Sequence, residues 1–158
     1  MKRGGTSRHE KKGECKMTVV TVFRWLLGLI FLSAALNGWA VILGWGAFLP
    51  TSPAAEAFLG NGYLLVLVKG TELVSALLLL INRFVPFALV VLAPLVVNIF
   101  CFHWFVDPGM LPLAVFLSLL WGHLFWSYRQ YFLPLVTEKT VLPAQKKASK
   151  SKPSMGQE

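Results

Sequence analysis

Apolar residues in this chain gather into long unbroken runs, and polar residues are confined mostly to the gaps between them. Four runs stand out, at about 19–43, 63–81, 84–102 and 111–128. Each comes close to the ~20 residues a helix needs to cross ~30 Å of hydrocarbon. The alternation of apolar and polar positions that marks a membrane β-barrel is absent. The pattern therefore predicts an all-α protein, an integral membrane antiparallel four-transmembrane-helix bundle, because short links leave each span only the return direction. Within the long gap at 48–62, "PAAEAFLG" is expected to form one short helical turn, with Pro53 at an early helical position. Pro94 falls inside the third span and is expected to kink it, since proline cannot donate the backbone hydrogen bond of a continuing helix.

The flanks differ in kind. Residues 1–18 are charged and lack apolar periodicity, so they are expected to be a disordered basic N-terminal tail. The stretch 132–158, ending "AQKKASKSKPSMGQE", is expected to be a disordered basic C-terminal tail, which leaves 19–131 as the four-helix domain. Translation from either Met1 or Met17 is compatible with this division. A cleaved signal peptide fits less well, because the first apolar run continues well past the small residues Ser33-Ala34-Ala35.

Composition agrees with a membrane location. Of the 158 residues, 56% are hydrophobic, more than so small a soluble domain could bury. The formal charge of +8 does not indicate nucleic acid, because the basic residues sit before the first span, after the fourth, and at Arg83 between the second and third. The other two loops carry Glu56 and Asp107 and no basic residue. This asymmetry predicts that both termini and the Arg83 turn are cytoplasmic. The expected partner is the lipid bilayer, with no nucleic acid. Cys15 and Cys101 are expected on opposite sides of the membrane, so no dithiol chemistry is expected.

The second span contains the candidate chemistry. A charge at the centre of a membrane helix costs ~2.5–3.5 kcal/mol, so Lys69 and Glu72 both need a reason to be there. Three residues apart, they share a helix face and can form an ion pair. Depth arithmetic at 1.5 Å per residue puts Glu72 near mid-membrane and His123 at a similar level, about 18 Å from the outer end of its helix. Asn98 falls near the level of Lys69, Asn37 in the outer half of the first span, and His103 with Asp107 at the outer mouth. Together they predict an outward-facing polar seam: Lys69, Asn98, Asn37 and His103 as binding groups, Glu72 and His123 as candidate proton-active groups at its floor. Two readings of the pair stay open, a purely structural tie between helices or a proton carrier. The candidate ligands have neither HxxxH nor ExxH spacing, so no metal site is expected. Arg24, one turn inside the first span, is expected to snorkel to lipid phosphates. Arg83 is expected to mark the inner turn.

The segments "RWLLGLIFLSAALNGW", "LVKGTELVSALLLLINRFVPFALVVLAPLVVNI" and "FCFHWF" together resemble the DoxX-like membrane proteins over about residues 20–130. The resemblance implies a four-helix bundle in the bacterial cytoplasmic membrane, for which the charge asymmetry gives N-in/C-in topology, with Arg24 and Glu72 at the family's recurrent polar positions and His103 at a polar position closing the third helix. It also implies a link to membrane redox systems, with a quinone as candidate ligand and no fixed cofactor. The protein would be a subunit or partner of a thiosulfate- or quinone-linked system, with a membrane or cytoplasmic redox protein beside it, and homo-oligomers are compatible with this. Any catalytic role is then that of an oxidoreductase subunit. The alternatives are a small solute or ion permease and a non-catalytic membrane scaffold.

Overall fold

A computed structural model describes the backbone of residues 6–60 and 62–136 and the side chains of 17–60 and 62–133. Its elements are α1 (Thr6–Ile42), α2 (Pro53–Leu59), α3 (Tyr63–Leu80), α4 (Val85–Phe105), a 3-10 turn (Pro108–Met110), α5 (Leu111–Ser127) and α6 (Arg129–Val136). Among the described residues there is no strand. Four stretches are long and apolar enough to cross a membrane: Met17–Ile42, Tyr63–Leu80, Val85–Phe105 and Pro108–Ser127. They agree with the apolar runs of the sequence to within a few residues, the third extending three residues further.

The ends of the chain depart from expectation. The first helix already begins at Thr6, so residues 6–18 are helical rather than a structureless tail. Lys and Glu are good helix formers, and a helix once nucleated by the apolar span extends backwards through them at little cost. At the other end, residues 129–136 form α6, a unit of its own. Residues 1–5 and 137–158, where the remainder of both expected tails falls, lie outside the described residues.

Between the long helices, α1 packs against α3, α3 against α4, α4 against α5, and α5 returns to α1. The shared interior is built from Leu27, Phe31, Ala35, Ala76, Leu79, Leu89, Leu92, Leu117 and Leu124, all close to fully buried. Small residues set the α1–α3 spacing. A Cβ added at Gly28 would stand 2.9 Å from the Leu80 side chain, so the two backbones approach closely there.

Each connection answers the unpaired carbonyls at a helix end. After α1, Gly44 turns left-handed (φ 78°). Its N–H donates to the Val41 carbonyl at 3.0 Å, and the Trp45 N–H to that of Ala40 at 2.9 Å. After α3 the same device uses Asn82 (φ 56°) in place of glycine. There Asn82 N donates to the Leu79 carbonyl and Arg83 N to that of Leu78. Asparagine tolerates this conformation better than most side chains do.

Helix α2 starts as the sequence predicts. Pro53 opens it, and the Ser52 hydroxyl accepts a hydrogen bond from Ala55 N at 3.3 Å. Thr51 donates to the Glu56 carboxylate across the same turn. Pro94 lies within α4 as expected. It removes the donor for the Val90 carbonyl, and one residue earlier the Leu89 carbonyl accepts a bond from the Trp121 indole N–H of α5 at 3.0 Å. Trp121→Phe is expected to lower stability by about 1 kcal/mol through loss of this bond, read as thermal unfolding in detergent.

Candidate functional site

The α3 sequence puts Lys69 and Glu72 one turn apart on a single face, and that face turns inward. Lys69 Nζ donates to Glu72 Oε2 at 2.8 Å, and the Glu72 side chain is 5% exposed. The lysine stem is accommodated by a gap in α1. A Cβ at Gly38 would stand 2.3–2.6 Å from the stem carbons of Lys69, so glycine there leaves room for the chain to lie against the helix backbone.

The pair lines a cavity of about 330 Å³ between the helices. Its wall is mostly apolar, with Phe31, Phe58, Ile99, Phe102, Leu113 and Leu117 among the lining side chains. Asn98 and His103 line it as well. The Asn98 side chain makes no hydrogen bond among the described residues. His103 Nδ1 lies 3.1 Å from the Asp107 carbonyl oxygen and 3.7 Å from its Oδ2. A carbonyl can only accept, so Nδ1 carries a hydrogen and Nε2 is the free ring nitrogen. Four of the residues expected in the seam, Lys69, Glu72, Asn98 and His103, are thus brought to one cavity.

Other expectations are corrected by the packing. His123 is not at the floor beside Glu72. It is exposed, it lines no cavity described here, and its ring meets Phe23 edge-on at 4.8 Å. Depth arithmetic fixes a residue's height but not its rotation. On α5 the inward face is that of Ala114, Leu117, Leu120 and Leu124, and His123 is turned off it.

Arg24 does not snorkel outward. It is buried, and its guanidinium donates to the Leu79 carbonyl and, at 3.3 Å, to that of Leu80. A cation at the negative end of α3 adds to the 3.3 Å backbone bond that the Leu79 carbonyl receives from Asn82 N and serves the Leu80 carbonyl beside it, which favours this site over lipid phosphate. Asn37 is buried but its Oδ1 accepts from Phe48 N and Leu49 N, each at 2.8 Å, so half of its amide anchors the loop after α1. Arg83 sits exposed in the α3–α4 turn. Cys101 lies exposed on α4.

Sequence reasoning missed the part played by α2. Ala55, Phe58 and Leu59 line the 330 Å³ cavity, and Phe58 meets Phe102 of α4 with ring centroids 5.5 Å apart. Their spacing of i, i+3, i+4 was the available signal, since these positions share a face even in a helix of two turns.

This arrangement offers an apolar chamber with one ion pair, one unengaged amide and one imidazole. It suits a molecule with an apolar body and a few hydrogen-bonding oxygens. No family model, no curated protein and no solved structure matches the chain.

Proposed function

We propose that this is a multi-pass membrane protein whose four long helices form an antiparallel bundle that binds a lipid-soluble quinone. The observation that carries the reading is the Lys69–Glu72 pair on the wall of a mainly apolar cavity of about 330 Å³. Quinone carbonyls are acceptors, and Lys69 and the Asn98 amide are donors of matching type. Glu72 is the group that takes up or releases a proton when the quinone is reduced or oxidised by a partner redox protein. On this reading the protein is a DoxX-like subunit or partner of a redox system in a bacterial cytoplasmic membrane. The Arg83 turn and both termini face the cytoplasm, and the His103 end of the helices faces outward. The clustering of basic residues at one side supports that orientation.

The experiment is photolabelling with a short-chain azido-quinone in purified membranes. Adducts are expected on Leu95, Ile99 and Leu113 of the cavity wall, and Ala114→Phe, which fills the cavity, is expected to abolish them. Labelling spread over the outer helix faces and unchanged in Ala114→Phe would defeat the proposal.

A further inference from the structure

A second cavity, of about 500 Å³, lies beside the first, and Asn37, Thr51, Ser52 and Glu56 are among the residues that line it. Lys69 and His103 belong to both walls, so the two chambers meet at these side chains. The second chamber has a different chemistry from the first. Asn37 is only 4% exposed, and its oxygen is already engaged by the Phe48 and Leu49 N–H groups. That fixes the amide's orientation and leaves Nδ2, with two hydrogens, without a partner among the described residues. Lys69 gives one of its three N–H bonds to Glu72 and has two left. Asn37 and Lys69, both on the wall of this chamber, therefore bring donors with capacity for an acceptor.

Charge narrows the choice. Lys69 and Glu72 of α3 cancel one another, and the lining residues of α1 (Asn37, Gly38, Val41) and α5 (Leu113, Ala114, Leu117) of the two chambers are not ionisable. Glu56 of α2 is exposed at the rim, held by Thr51. An anion entering alone would leave an uncompensated negative charge beside the buried Asn37, which is costly. His103 of α4 can remove that cost. Its Nδ1 hydrogen is directed at the Asp107 carbonyl with the Asp107 carboxylate nearby, so Nε2 is the atom able to take a proton.

We propose that the second chamber binds a carboxylate together with one proton, the carboxylate held by Asn37 Nδ2 and Lys69 Nζ and the proton taken by His103 Nε2. The site shares Lys69 with the quinone reading but does not depend on it. The carboxylate belongs either to a small water-soluble acid or to an acyl chain that reaches the chamber from the bilayer.

The test is calorimetric titration of the full chain in lipid nanodiscs with sodium benzoate and, separately, sodium decanoate. Buffers of different ionisation enthalpy count the protons taken up. Benzoate binding identifies a free acid as the source, and binding by decanoate alone identifies the acyl chain; either supports the site. Affinity is expected to rise by up to about tenfold for each pH unit lowered from 8 to 6, with about one proton taken up per ligand. His103→Asn should abolish that slope. Glu72→Gln frees the lysine charge and should tighten binding about tenfold at pH 8. Asn37→Asp keeps the acceptor that anchors the loop but replaces the amide donor, and should weaken binding about tenfold. The double variant Lys69→Gln/Glu72→Gln removes both charges without leaving one buried alone, and should not bind. Absence of binding by both ligands at pH 6 would overturn the proposal. So would wild-type affinity in the double variant or in Asn37→Asp, or a pH slope that survives His103→Asn.

Discussion

Lys69→Met is expected to destabilise the protein by about 3–5 kcal/mol, because it leaves the Glu72 carboxylate buried without its partner. The size of the loss comes from the stranded charge more than from the attraction that is removed. The double variant Lys69→Met/Glu72→Leu should therefore regain wild-type stability or exceed it by about 1–4 kcal/mol, as apolar replacements of buried ion pairs do. Unfolding of each variant in mild detergent against increasing sodium dodecyl sulfate measures the difference. If the single variant matched wild type, the pair would have to be solvated, against the 5% exposure of the Glu72 side chain. Recovery in the double variant would also show that the pair is not needed to hold the helices together, and would leave ligand chemistry as its reason for being there.

The second large effect is expected at Arg24. Arg24→Met keeps the apolar stem but removes the guanidinium from the Leu79 and Leu80 carbonyls, leaving Leu79 its bond from Asn82 N, and a loss of about 3 kcal/mol is expected. Arg24→Lys should recover part of that, because an ammonium lacks the planar fork that serves two carbonyls at once. The loss should be the same in neutral and anionic lipid. A side chain that reached for lipid phosphate would instead show a strong dependence on anionic lipid and little effect in neutral lipid.

Arg24 and His123 also show what a sequence does not contain. Apolar runs, and the Pro, Gly and Asn positions that break them, are one-dimensional features, and they placed the four long helices to within a few residues. The Lys69–Glu72 pair was equally legible, since three residues along a helix settle who can touch whom without reference to any neighbour. Rotation of one helix against another is not a local property. Height placed His123 beside Glu72, yet packing of Leu117, Leu120 and Leu124 turned it outward to Phe23. For Arg24 the competitor was tertiary: the end of α3 comes within its reach, and the carbonyls of Leu79 and Leu80 hold it. Gly38 is, in the sequence, only one more small residue of the first apolar run. That it makes room for a lysine stem is visible only once α1 and α3 are side by side. At the N-terminus the error was of another kind, since a charged segment with no apolar face still continues a helix begun downstream.

The central claim is that the cavity beside Lys69 and Glu72 holds a lipid-soluble molecule. It is tested most directly by extracting the protein from its native membrane into polymer-bounded discs without detergent, and then measuring quinone per protein by mass spectrometry. Wild type is compared with Ala114→Phe, whose ring would occupy the cavity. A near-stoichiometric quinone in wild type, reduced in Ala114→Phe to the level of the surrounding lipid, is the result expected. Equal quinone in both proteins, at the level of bulk lipid, would contradict it.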